Sequence, residues 1–175
     1  MQFSVVQQLK GPIGSVRRYT LDDTVEACQG EGAQQVAGQV VFLRTDRGIL
    51  VTGHLETAIE ATCSRCLASY RQAAAFDLEE EFFPTVDVTT GVRLPSPPEE
   101  GAFTIDAHHI LDLREAVRQY TLLNLPMKPL CKPDCRGLCA QCGATLNEGP
   151  CGCIEARDPR WGPLGKLLAH SRSQN

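Results

Sequence analysis

Aromatic residues are scarce in this chain, making up 6 % of its 175 residues. A core must therefore be built mainly from Val, Leu, Ile and Ala, for which a hydrophobic content of 42 % is sufficient. Long apolar runs are also missing. Runs such as TLLNLP fall far below the roughly 20 residues that cross a bilayer, so no membrane association is expected.

A secretory signal is missing from the N-terminal stretch MQFSVVQQLKGPIG, which has no basic segment followed by an apolar one. We therefore expect a cytoplasmic protein, because the reducing cytosol keeps cysteines as thiols or thiolates. The chain has nine cysteines, and an odd number also disfavours a framework of disulfides.

The sequence lacks the motifs of common enzymes. It has no G-x-x-x-x-G-K-[ST] loop, no H-E-x-x-H helix, no G-x-S-x-G elbow and no plausible Cys/His nucleophile pair. His54, His108 and His109 are interpreted as polar surface residues. We therefore predict that the protein is not an enzyme and has no small-molecule substrate.

A strong positive charge is absent as well, since the net charge is −4. Residues 77–115 carry a local charge of −8, whereas residues 126–175 carry +3. This balance is unlike that of a strongly basic nucleic-acid-binding domain. Within this acidic stretch, LEEEFF is most simply a solvated strand end, and alternatively a surface for a basic protein partner.

Residues 36–83 show the two-residue alternation of β-strands. Two runs are joined by the turn TDRG, in which Gly48 supplies a permissive backbone. A third run follows CSRC, which is therefore predicted at a hairpin tip. The drier face of the second run consists of Val51, Gly53, Leu55, Thr57, Ile59 and Ala61. The segment FSVVQQL is a further candidate strand.

The segment 84–103 holds four prolines and two glycines, and is predicted to be a long flexible loop. A helix is predicted near 113–124, with Asp112 and Glu115 in the spacing of a capping box and Pro126 ending it. The fold class is therefore α+β, with an antiparallel sheet and a packed helix. We expect a body at 1–125 and, packed on it, a cysteine-rich lobe with a short C-terminal helix at 126–175.

Cysteine is what the chain has in abundance, and eight of the nine fall into four close pairs. The pairs are Cys63/Cys66, Cys131/Cys135, Cys139/Cys142 and Cys151/Cys153. A C-x₂-C turn lets two sulfurs converge on one ion, and zinc takes four such ligands in a tetrahedron. We therefore predict two Cys₄ zinc sites. Cys28 stands alone and is interpreted as an ordinary residue.

The sequence leaves two groupings of these ligands open. In the first, the last four cysteines close their own lobe, and Cys131 and Cys135 meet Cys63 and Cys66. In the second, the two C-x₂-C turns share one metal. We favour the first because it needs less loop closure. Other interpretations are an iron–sulfur cluster, unliganded buried thiols or, with less support from the flanking strands, a thioredoxin-type motif at CSRC.

A Cys₄ site has no open coordination position, so the predicted role of the metal is structural. Basic residues flank the cysteine pairs and partly offset the thiolate charge. The candidate partner-binding residues are Arg65, Lys132, Arg136, Arg160 and Trp161, the last because an indole can stack on a base.

Three stretches carry a resemblance to a known family. They are CSRCLASY, LPMKPLCKPDCRGLCAQCGATLNEGPCGC and DPRWGPLGKLL. Together they resemble the bacterial and plastid YceD family. That resemblance implies a factor in large-ribosomal-subunit biogenesis that supports accumulation of large-subunit rRNA, with rRNA or a ribosomal protein as partner. It maps the family's cysteines onto the eight paired positions. A thiol-based redox sensor or enzyme, and a protein scaffold that uses the acidic stretch, are the alternatives.

Overall fold

The computed structural model describes residues 1–26, 33–97 and 100–153. Two helices and seven strands lie within these ranges. In chain order they are β1 (Gln2–Ser4), α1 (Val6–Leu9), β2 (Val16–Glu26), β3 (Ala33–Arg44), β4 (Ile49–Thr62), β5 (Ser69–Pro84), β6 (Thr104–Ile105), β7 (Ile110–Asp112) and α2 (Arg114–Leu123).

The main sheet has five strands in the order β2-β3-β4-β5-β6. The pairs from β2 to β5 are antiparallel, and only the short β6 lies parallel, beside the end of β5. β1 and β7 form a separate antiparallel pair. The predicted combination of an antiparallel sheet with few helices is confirmed.

The alternation predicted for the central strands is confirmed. In β4 the drier face is buried at Val51, Leu55, Thr57 and Ile59, while His54 and Glu56 on the other face are exposed. The turn TDRG joins β3 to β4 as expected. Its glycine is required for a different reason, because a Cβ on Gly48 would lie 2.1 Å from the Phe82 carbonyl oxygen.

Helix α2 packs against β5 and is confirmed within one residue of its predicted ends. Its residues Ala116 and Val117 are buried in the core, and the Tyr120 hydroxyl donates to the Glu80 carboxylate (3.0 Å). Asp112 accepts the Arg114 N–H (3.0 Å). Glu115 does not complete a capping box, because its carboxylate accepts hydrogen bonds from Arg118 and Gln119.

Two predictions near the N-terminus were wrong or incomplete. FSVVQQL is a strand only as far as Ser4 and then turns into α1, where the Gln8 side chain donates to the Phe42 carbonyl (2.7 Å) inside the protein. The long strand β2 was missed. Arg17 and Asp23 share its inner face with Leu21 and Val25, which breaks the apolar alternation.

The segment 84–103 carries some local order in its described residues. Asp87 accepts hydrogen bonds from the N–H groups of Thr89 and Thr90, and Val86 bridges to Arg93. Its flexibility stays a prediction. Cys28 and the expected C-terminal helix lie outside the described residues. No helix in the described ranges has the length and apolar character needed to cross a membrane.

Candidate metal centres

The turn CSRC lies at the tip of the β4–β5 hairpin, where the sequence places it. The Cys63 N–H donates to the Ala68 carbonyl (2.9 Å), and the Leu67 N–H donates to the Cys63 carbonyl (3.0 Å). These two bonds fold residues 63–68 into a compact loop. Both sulfurs of the turn consequently face the chain that follows α2.

Four sulfurs meet at this tip and form what we name site 1, made of Cys63, Cys66, Cys131 and Cys135. The Cys63–Cys135 sulfur distance is 3.7 Å and the Cys66–Cys131 distance is 3.6 Å. A disulfide requires about 2.05 Å, so these thiols are not bonded to each other. A zinc tetrahedron with Zn–S bonds of about 2.3 Å has sulfur–sulfur edges of about 3.8 Å, which site 1 matches closely.

Hydrogen bonds fasten the hairpin tip to the cysteine-rich segment independently of any metal. The Ser64 N–H donates to the Pro129 carbonyl (2.8 Å). The Arg65 guanidinium donates to the Cys135 carbonyl (2.8 Å). Site 1 therefore closes a contact between two segments about 65 to 72 residues apart.

Asn147 is a site residue that the sequence analysis missed. Its Nδ2 group donates to the Cys135 sulfur (3.3 Å), while its Oδ1 accepts the Arg136 N–H (2.9 Å). It lies beyond the second C-x₂-C turn, twelve residues from the sulfur that it contacts. The only sequence signal for it is its place in the stretch LNEGPCGC, which is part of the family resemblance.

The surroundings of site 1 lower the pKa of some of its cysteines and raise the pKa of another. A hydrogen bond from the Cys131 backbone lowers the pKa of Cys63 to about 6. The Asn147 amide lowers the pKa of Cys135. Burial, and to a smaller extent the hydrogen bond with Cys66, raises the pKa of Cys131 to about 12. A cation among these four sulfurs would favour the thiolate at each of them.

The other four paired cysteines form site 2, made of Cys139, Cys142, Cys151 and Cys153. The Cys139 N–H donates to the Ala144 carbonyl (2.8 Å), and the Gly143 N–H donates to the Cys139 carbonyl (3.0 Å). The Gln141 N–H points at the Cys139 sulfur (3.4 Å). The hydrogen bond from the Cys142 backbone lowers the pKa of Cys139 to about 6.

The two sites differ in exposure. At site 1, Cys63 and Cys135 are buried and the other two sulfurs lie in half-buried residues. At site 2, Cys142 and Cys153 are exposed. In both sets the four ligand atoms lie within 4.8 Å of one another, so each set could hold a metal ion. The structure thus assembles the grouping favoured from loop closure, and does not bring the two C-x₂-C turns together on one site.

Three of the candidate partner-binding residues surround site 1, and all three are exposed. They are Arg65, Lys132 and Arg136, and the exposed Lys128 lies near them in the chain. Arg160 and Trp161 lie outside the described residues. In the acidic stretch, Glu81 is bound by Thr45 and Arg47, and Asp77 contacts His54. Part of that stretch is therefore already engaged by side chains of the same chain.

The family described as "Large ribosomal RNA subunit accumulation protein YceD" matches residues 51–168 of this chain. The match spans both sets of cysteines. The chain belongs to the YceD family. The name of this family describes an accumulation factor for large ribosomal RNA.

Curated relatives support the YceD assignment. An uncharacterized protein of Mycobacterium tuberculosis is 33 % identical over 161 residues, which cover 86 % of this chain and 74 % of the relative. A chloroplast protein of Arabidopsis thaliana, named large ribosomal RNA subunit accumulation protein YCED homolog 1, is 36 % identical over 150 residues. These cover 73 % of this chain and 47 % of the relative. No solved structure matches the chain.

Proposed function

We propose that this protein is a non-enzymatic, cytoplasmic factor in large-ribosomal-subunit biogenesis, whose fold is stabilised by zinc at site 1 and site 2. The observation that carries the proposal is a pair of closed four-thiol sites in a chain that belongs to the YceD family. Four thiolates per site suit a structural zinc ion and leave no coordination position for a substrate. The division into a body at 1–125 and a lobe at 126–175 is part of this proposal.

The proposed partner is large-subunit rRNA, contacted through the basic residues around site 1. Arg65, Lys132 and Arg136 present exposed cations on adjacent loops, and Arg160 and Trp161 extend the set along the sequence. Cations that neutralise phosphates release counterions, so affinity for RNA should fall steeply as salt rises.

The binding test measures affinity for purified large-subunit rRNA fragments across a salt series. We expect the Lys132→Ala/Arg136→Ala variant to reduce the slope of log affinity against log salt by about 1.4 for a single-stranded site or 1.8 for a duplex. Arg93→Ala, an exposed residue in the segment that follows the other end of β5, is the control and should leave the slope unchanged. An affinity that does not depend on salt would contradict RNA as the direct partner and favour a ribosomal protein.

The cellular test depletes the protein and measures large-subunit rRNA relative to small-subunit rRNA. We expect the ratio to fall and to recover with the wild-type chain. An unchanged ratio after full depletion would contradict a role in rRNA accumulation.

Exposed thiols at site 2 favour one alternative, a thiol-based redox sensor. That alternative predicts that zinc leaves site 2 with mild oxidant and returns with reductant. A structural role instead predicts that zinc stays bound in stoichiometric amounts when mild oxidant is added. A scaffold acting through the acidic stretch would instead retain one dominant protein partner in a ribosome-depleted lysate.

A further inference from the structure

Strand β2 is an open edge of the five-stranded sheet. It pairs with β3 over its whole length, and within 1–26, 33–97 and 100–153 no strand lies on its other side. The Arg44 N–H donates to the Ser15 carbonyl (2.9 Å) at the start of this ladder. Because hydrogen-bonding direction alternates along a strand, the odd-numbered residues of β2 direct their backbone N–H and C=O groups to β3. The even-numbered residues direct theirs to the open edge.

Side-chain hydrogen bonds agree with this orientation. The Thr24 N–H, which points to the open edge, is taken up by the Asp23 carboxylate (2.8 Å). The outward groups of Arg18, Thr20 and Asp22 form a continuous row in the middle of the strand. Exposed strand edges of this length are templates for pairing with another strand.

The sequence of β2 is complementary to itself when it is read in the antiparallel direction. Two identical strands related by a two-fold axis pair residues whose numbers have an even sum, because only residues with the same orientation can face each other. With the axis at Thr20, Arg18 faces Asp22 of the other copy and Arg17 faces Asp23. Tyr19 then faces Leu21, which places an aromatic ring opposite an aliphatic side chain.

Neighbouring registers lose this complementarity. An axis at Arg18 or at Asp22 places two identical charges opposite each other, which destabilises a strand pair. An axis at Tyr19 or at Leu21 places both arginines opposite uncharged residues. Within the central part of the strand, the register at Thr20 is the one in which every charge meets its opposite.

We propose that two copies of this chain associate through β2, antiparallel and centred on Thr20, to form one continuous ten-stranded sheet. The main chains of Arg18, Thr20 and Asp22 then exchange about six hydrogen bonds. Arg18 and Asp22 are both exposed on the outer face of the sheet, where they are available to the other copy. Val16, 45 % exposed in the single chain, faces Thr24.

The outer-face pair carries most of the charge complementarity. Asp22 accepts a hydrogen bond from the Gln35 side chain of its own chain (2.8 Å). Asp23 is already bound to the N-terminal ammonium group (2.9 Å), so its contact with Arg17 contributes less. The test therefore addresses Arg18 and Asp22.

The test is a charge-swap cycle measured by sedimentation of the full-length, zinc-loaded chain over a range of concentrations. We expect a concentration-dependent dimer for the wild type. Each single variant, Arg18→Asp or Asp22→Arg, places like charges opposite each other across the two-fold axis. Each should therefore weaken the dimer about tenfold or more. The double variant Arg18→Asp/Asp22→Arg restores opposite charges and should return the dissociation constant to within about threefold of the wild type.

Two further variants separate pairing from folding. Thr20→Pro removes an outward N–H and no bond to β3, so it should abolish the dimer while the monomer keeps its thermal unfolding temperature. Arg71→Asp makes the same change of charge on the distant strand β5 and should leave the dimer intact. A wild-type chain that stays monomeric at every concentration, or a double variant as weak as the single ones, would overturn the proposal.

Discussion

Leu67 and Gly143 hold the same position in the two cysteine turns, and both have a left-handed backbone, with φ angles of 59° and 72°. Each follows the second cysteine of a C-x₂-C turn and donates its N–H to the carbonyl of the first cysteine. Glycine adopts this conformation without cost, whereas leucine is strained by its Cβ. The Leu67 side chain is 65 % exposed, so little burial compensates for the strain.

Replacing Leu67 by glycine should therefore stabilise the protein. We expect Leu67→Gly to raise the free energy of unfolding by about 0.5–1 kcal/mol, the relieved strain less the added chain entropy of glycine. Denaturant unfolding of the zinc-loaded protein measures it. The mirror control Gly143→Leu should destabilise, through backbone strain alone, since a Cβ there meets nothing within 4 Å. A destabilised Leu67→Gly variant would show that the leucine side chain contributes more than its exposure indicates.

Removing the amide of Asn147 should weaken metal retention at site 1. The variant Asn147→Ala loses the hydrogen bond to the Cys135 sulfur and leaves the Arg136 N–H without its acceptor. Groups that orient a ligand in this way affect metal affinity by about 10–100-fold, so we expect an affinity loss in that range. Competition with a chelator measures it, with the exposed Glu148→Ala as the neighbouring control. Unchanged zinc affinity would contradict the role of Asn147.

The two metal sites should contribute differently to stability. Cys63→Ser removes a buried ligand from site 1, which holds the β4–β5 hairpin against the segment after α2. Cys153→Ser removes an exposed ligand from site 2, whose four ligands span only residues 139–153. Both variants should lose about one zinc ion per chain, because each leaves three ligands. We expect Cys63→Ser to lower the thermal unfolding temperature much more than Cys153→Ser does, because site 1 joins two distant segments of the chain.

Metal content and thermal unfolding measured on the same preparations check this ordering. Ser64→Ala, beside the site 1 ligand, is the matched control and should retain both metals, since its bond to Pro129 uses the backbone N–H. Equal unfolding temperatures for Cys63→Ser and Cys153→Ser would show that site 1 does not hold the hairpin in place.

The parts of the fold that the sequence predicted are those with a regular pattern over many residues. β4 and β5 alternate across a sheet with one buried face, so Leu55 and Phe76 mark their inner sides unambiguously. Strand β2 lies at the sheet edge, where Arg17 remains exposed on the inner face and masks the period. Its pairing depends on β3, which no local pattern in β2 reveals.

The candidate site was predictable in its ligands and not in its supporting contacts. Repeated C-x₂-C spacing indicates which cysteines can chelate, and loop closure favours joining Cys131 and Cys135 to the hairpin. The bond from Asn147 to the Cys135 sulfur depends on how two turns cross, as does the bond from Arg65 to the Cys135 carbonyl. Such contacts follow from the tertiary arrangement and leave no signal in the spacing of residues.

Asp112, the last residue of β7, connects β7 with β1 and α2. Its charge should make the free energy of unfolding fall at acidic pH. Its carboxylate accepts hydrogen bonds from Gln2 in β1 (3.0 Å) and from the Arg114 side chain, which also forms an ion pair with it. Burial opposes ionisation of this group. The hydrogen bonds from Arg114 and Gln2 outweigh that cost and lower the pKa of Asp112 to about 2.

Because the folded-state pKa lies below the unfolded value, the contribution of Asp112 is complete above about pH 4 and is lost as the pH falls towards 2. The side chain is 32 % exposed, so solvent screening reduces the contribution. We expect Asp112→Asn to cost about 1 kcal/mol at neutral pH, with the difference from the wild type closing near pH 2. Unfolding of both zinc-loaded proteins across this range measures it, and comparing the two at each pH separates the effect of Asp112 from the acid release of zinc that both share. A pH-independent cost for Asp112→Asn would mean that its charge is not what stabilises the contact among β1, β7 and α2.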